Sequence, residues 1–150
     1  MEQAAIVEYV RATFEHVDVQ QPSDGPGAGD TFFIYDPRGD LEPKQQFPFA
    51  TIVTKNYGEF DDKSQLDRPG VFRLNIGVSR DTFRSTVDPD AAYDYTALDT
   101  VMPHPVYAAQ SWLSVLNPSD ATFARLAPLL AEAYATAVRR LGRGREDSGE

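Results

Sequence analysis

His104 is the side chain in this 150-residue chain best suited to acid–base chemistry, since imidazole titrates closest to neutrality. It lies in the stretch from Met102 to Pro118, which also holds Trp112, the single Trp of the sequence. A Ser-His-Asp arrangement would recruit Ser111 or Ser114 together with Asp99. Neither serine sits in the strand–turn–helix elbow that exposes a nucleophilic hydroxyl in hydrolases. The other His, His16, falls near the end of a helix and reads as an exposed terminal residue, favoured by the helix dipole when protonated. The two are far apart and form no His-x₃-His pair, so no zinc site is expected. There is no Cys, which removes thiolate nucleophiles, disulfides and Cys-ligated metal.

A binding constellation emerges from strand alternation. In residues 70–78, Phe72, Leu74, Ile76 and Val78 share one face, while Arg73, Asn75 and Gly77 share the other. In Trp112 to Leu116, Leu113 and Val115 join the apolar face, leaving Gln110, Trp112 and Ser114 opposite. The second face therefore collects Arg73, Asn75, Gln110 and Trp112, with Tyr35 or Ile34, and Thr51 with Val53, completing it according to register. With His104 and Tyr107 at its rim and residues 88–106 as a partial roof, this face suits a small-molecule pocket, Arg73 serving as anion anchor. The competing reading packs Trp112 and the Tyr residues under the roof or in a dimer contact, and pairs Arg73 with an Asp of the roof.

Other candidate motifs dissolve on inspection. Glycines 25, 27 and 29 follow a helix and precede a strand, the reverse of the order a dinucleotide-binding loop requires. Glu59, Asp61, Asp62 and Asp67 lack the alternating ligands, central Gly and closing Glu of a calcium loop, and read as a solvated connection. Arg38-Gly-Asp40 reads as a turn. A net charge of −9 opposes non-specific nucleic-acid binding and docking on anionic membranes. The largest basic grouping is Arg139 and Arg140 with Arg143 and Arg145. No basic segment leads into an apolar run at the N-terminus, and no window approaches membrane-spanning length, so a cytoplasmic protein is expected.

The elements that must position these residues follow from periodicity. Ile6, Val10, Phe14 (or Thr13) and Val17 predict a helix over 3–17. Strands are expected at 31–36, from just after Pro48 to Lys55, at 70–78, at 106–110 and at 112–116. Ser79 caps a helix that ends near Val87, with Val78 and Phe83 as a hydrophobic staple. Residues 88–106 read as a long loop with one short helical turn. A last helix starts at Asn117 or Ser119 and carries the stripe Phe123, Leu126, Leu130, Ala133 to Leu141, with a break near Ala127 where Pro128 opens a second segment. The expected order is α-β-β-β-α-β-β-α: one α+β domain over 1–141, a single antiparallel sheet packed by helices, and a flexible tail over 142–150.

Residues 104–116 followed by 129–138 resemble the C-terminal half of the MmcQ/YjbR-like family, through Pro105, Tyr107, Trp112, Ala133 and Tyr134. The chain also resembles, over about residues 3–141, an uncharacterised actinobacterial family of unknown function. The first resemblance implies an α+β sandwich similar to the secretion-chaperone fold. Some members of that family are labelled DNA-binding, but their polar and basic residues before the Trp are Ala108, Ala109, Gln110 and Ser111 here. The sequence thus points to a small-molecule or protein-binding module without metal, nucleotide or other cofactor. The alternatives are a cofactor-independent enzyme using His104, or a homodimer joined through the Trp112 face rather than a monomer.

Overall fold

The computed structural model describes the backbone of residues 1–147 and the side chains of residues 1–143. The elements are α1 (Gln3–Thr13), β1 (Val17–Gln20), β2 (Thr31–Tyr35), β3 (Ala50–Val53), β4 (Arg73–Gly77), α2 (Arg80–Thr86), β5 (Met102–Pro103), β6 (Trp112–Leu116) and α3 (Asp120–Asp147). The fold is α+β, with a single six-stranded antiparallel sheet in the order β1-β2-β3-β4-β6-β5 and three helices. No helix among the described residues is long and apolar enough to cross a membrane.

The alternation in β4 sets both faces of the sheet. Leu74 and Ile76 pair with Val115 and Leu113 of β6, so four apolar side chains stand on one side. Leu74, Ile76 and Val115 pack with Phe33 and Ile52 against Ile6 and Val10 of α1 and Phe123, Leu126 and Leu130 of α3. Burial of such side chains contributes about 1.5–3 kcal/mol each. Leu113 meets Phe83 and Val87 at α2 on the same side. Ser79 caps α2 by accepting the Thr82 amide at 3.1 Å. The opposite face carries Thr51, Val53, Arg73, Asn75, Ser114 and Leu116, and is covered by residues 54–72 and by Tyr93 and Tyr95.

The structure departs from the periodicity reading at four places. First, the helix expected to reach Val17 ends at Thr13, and the chain reverses at His16, which adopts a left-handed φ of 62°. It then forms β1, an edge strand with Val17 and Val19 toward the core and Asp18 exposed. Val17 fits a helical stripe and a period-two strand equally well, which hid this strand. Second, residues 106–110 form a turn and a 3₁₀ segment (Ala108–Gln110) instead of a strand, and the pairing strand is Met102–Pro103. Pro105 has no amide to give a ladder, and the amides of Val106 and Tyr107 turn inward to the His104 ring at 3.0 Å each. Third, residues 88–101 contain turns but no helical turn. Fourth, α3 runs unbroken through Pro128. The carbonyl deprived of its amide partner is that of Ala124, and both residues lie on the exposed side, where water can replace the bond.

The helical backbone also continues past the expected boundary at 141 to Asp147, and residues 148–150 lie outside the described residues. At the other end of α3, Ser119 is the cap, accepting the Thr122 amide. Asn117 instead accepts the Phe72 amide and donates to the Gly70 carbonyl, holding the entry to β4. The glycine-bearing loop before β2 closes on itself through Gly29 and Pro22. Asp30, 1% exposed, ties it to the end of β3 by accepting from the Thr54 amide at 2.8 Å, from Lys55 and from the Tyr57 hydroxyl.

Restoring the missing amide in α3 should therefore stabilise the fold. Pro128→Ala is expected to raise the urea midpoint at unchanged slope, by up to about 3 kcal/mol in unfolding free energy. A fall in midpoint would show that the proline ring contributes packing that outweighs the hydrogen bond.

Candidate functional site

The six candidate residues divide into two groups in space. Arg73, Asn75, His104 and Tyr107 belong to one cluster on the loop-covered face. Gln110 and Trp112 line a cleft at the end of the sheet.

Arg73 opens β4 with its side chain 1% exposed, and four of its five N–H donors are engaged by Asp61, Ser64 and Asn75. Asp61 takes it in a bidentate fork, at 3.0 Å to Nη1 and 2.6 Å to Nη2. Nη1 also donates to Ser64 Oγ at 2.9 Å, and Nε donates to Asn75 Oδ1 at 2.9 Å. Asn75 in turn accepts from Ser114 Oγ and donates to Thr51 Oγ1. The strand register creates this chain, because Thr51, Asn75 and Ser114 are direct cross-strand partners on β3, β4 and β6. The carboxylate comes from the acidic connection between β3 and β4 rather than from the 88–106 roof. Burial alone would raise the Asp61 pKa, but hydrogen bonds from Arg73 and its positive charge outweigh burial and hold it below the usual carboxylate value. With both forks on Asp61 and Ser64, Arg73 has no free donor aimed at a ligand in this conformation.

His104 extends the cluster on the β5 side, 3% exposed. Its Nδ1 accepts two backbone amides, so the proton of the neutral ring falls on Nε2, as assigned from the hydrogen-bond network. Nε2 lies 3.3 Å from Arg73 Nη2. Donor groups thus face both ring nitrogens, and a second proton would meet an N–H at Nδ1 and a guanidinium at Nε2. Burial first, and Arg73 second, lower the His104 pKa from 6.5 to about 3, against a smaller opposing pull from Asp61. The one basic lone pair is committed to the chain's own amides. Ser114 is bound to Asn75, and Asp99 accepts the Ser119 amide at 2.7 Å near the α3 cap, so no Ser-His-Asp relay assembles. Tyr107 covers the cluster, its ring 5.0 Å from that of His104 and 6.1 Å from Phe60, and both Tyr107 and Phe60 are exposed. Among the described residues no group of three His, Asp or Glu side chains is placed to hold a metal ion.

The cleft is separate, with a volume of about 860 Å³. Its floor is the Gly77–Trp112 end of β4 and β6, one wall is the 35–49 segment, and the other is the C-terminal half of α3. A Cβ at Gly77 would stand 3.0 Å from the Trp112 ring, so glycine lets the indole lie flat on the neighbouring strand. Tyr35, Phe47, Phe49, Ala133 and Ala137 supply further apolar surface. Phe47 is 76% exposed, the most exposed large hydrophobic residue described. Tyr134 braces the wall: it stacks on Phe14 at 4.8 Å, meets Tyr35 and Phe49 edge-on, and donates its hydroxyl to the Glu15 carbonyl.

A model for a family of unknown function, DUF6194, matches residues 1–146. The chain belongs to that family. None of the curated proteins and none of the solved structures matches it.

Sequence reasoning placed Arg73 and Asn75 on the correct face but did not find their partners Asp61 and Ser64. A charged residue amid a period-two strand signals a buried counter-charge, yet four acidic residues of one loop were eligible and register alone selects among them. It also missed the cleft wall from Phe47 and α3, because Arg139 and Arg140 read only as part of a basic grouping with Arg143 and Arg145.

Two measurements test the buried cluster. Asp61→Asn strands the guanidinium without a counter-ion and should cost about 3–5 kcal/mol in unfolding free energy, read from a denaturant midpoint. A change of only a few tenths would show that Arg73 finds solvent. The second concerns pH. Because the folded His104 pKa is depressed, the unfolded chain binds a proton first as pH falls. Its contribution is complete above 6.5 and is lost progressively toward about 3. Stability should therefore decline over that interval, and His104→Gln should flatten the decline. An unchanged slope would overturn the assignment.

Proposed function

We propose that this protein binds a small organic molecule in the cleft beside Trp112. The single observation that carries this is an opening of about 860 Å³ walled by the only indole, two phenylalanines and a tyrosine, with polar groups at its mouth. That volume falls in the roughly 300–1,000 Å³ range of small-molecule sites, and apolar walls with few convergent polar groups are their usual lining. Phe47, 76% exposed, lines the cleft where a bound molecule would cover it. The Arg73–Asp61–His104 cluster acts as scaffold: it fixes β4 and β6, whose ends carry Gly77 and Trp112.

The resemblance to MmcQ/YjbR-like proteins is compatible with this reading, since two of the residues that carry it, Trp112 and Ala133, both line the cleft. A protein partner or a second copy of the chain would instead use the flat surroundings of the same face. A concave site of this size favours the small molecule.

Trp112 is its own reporter. Titration with a metabolite library should shift or quench its emission for some members, and Ala137→Phe, which fills the cleft, should abolish the response while leaving the far-ultraviolet spectrum intact. A flat response across the whole library would reject a ligand site here.

A further inference from the structure

Resting on that reading, we infer that the cleft selects an organic carboxylate, an apolar body lying against Trp112 and Phe47 with its charged end at Arg139 and Arg140. Both arginines line the cleft from the α3 wall. Arg139 donates to Thr136 Oγ1 at 3.1 Å, and among the described residues neither guanidinium has a carboxylate within ion-pair distance. The buried Arg73, by contrast, is fully paired. In a chain with 23 acidic and 14 basic residues, the α3 wall of this aromatic cleft presents two adjacent arginines. The guanidinium fork matches a carboxylate with two parallel hydrogen bonds, and its plane also packs on flat apolar surface.

The opposite wall defines the permitted charge. Asp40 and Glu42 line the cleft from the loop side. Glu42 lies 3.8 Å from Lys44 and belongs to a capping box with Gln45, so its negative charge is held in place there. Glu42 and the net charge of −9 repel a phosphate dianion more strongly than a carboxylate monoanion. Gln110 and Gln45 also line the cleft and carry amide donors.

The test uses the full chain and matched compounds: aryl-alkyl carboxylates such as 4-phenylbutyrate, with the corresponding carboxamides, amines and phosphate monoesters, followed by Trp112 emission and calorimetry. Carboxylates should bind about tenfold or more tightly than their amides, as a charge-assisted bond to arginine allows. Raising the salt concentration should narrow the gap. Arg140→Gln and Arg139→Gln should reduce carboxylate affinity to the amide level without altering amide binding, while Arg84→Gln on α2 should change neither. Amides, amines or phosphate esters binding as tightly as carboxylates would overturn the anion selectivity and leave the cleft reading standing. No binding by any series would overturn both.

Discussion

The buried ion pair between Arg73 and Asp61 is the constraint on which the loop-covered half of the molecule depends. A guanidinium 1% exposed at the start of a strand is tolerable only if its charge is paired and its donors are largely met, and here Asp61, Ser64 and Asn75 take four of its five N–H groups. The pair need not add net stability over an apolar substitute of the same shape. Its effect is specificity: the 54–72 connection must bring Asp61 and Ser64 to one place, and β4 must keep the register that puts Asn75 between Thr51 and Ser114. Arg68 continues the tether outward by donating to the Ser64 and Thr96 carbonyls, joining that connection to the 88–101 segment.

His104 shows how such a cluster changes the meaning of a residue type. An imidazole in a cleft suggests a base, but an imidazole whose Nδ1 holds two backbone amides acts as a structural acceptor that terminates β5 and shapes the turn before β6. The buried cluster is thus committed to the fold, while at the other end of β4 and β6 Trp112 lies against a glycine and lines the cleft.

What was legible in the sequence was whatever short-range periodicity controls. The β4 alternation and the split of Leu113 and Val115 from Trp112 and Ser114 appear in the structure with the same faces, as does the Ser79 cap. Illegible were features that depend on long-range geometry or on competing local signals. Val17 satisfied two periods at once. Pro128 could continue a helix because its orphaned carbonyl points to water, a fact about orientation rather than residue type. Asp61 was hidden among equivalent acids, and the cleft joins β4, β6, a loop and α3 from distant parts of the chain.

The bracing of Tyr134 has a consequence for how the molecule behaves as a whole. Through Phe14 and the Glu15 carbonyl, that residue joins the end of α1 to the helix that forms a wall of the cleft; through Tyr35 and Phe49 it touches the opposite wall. The position of the first helix and the spacing of the two cleft walls are therefore tied to one side chain.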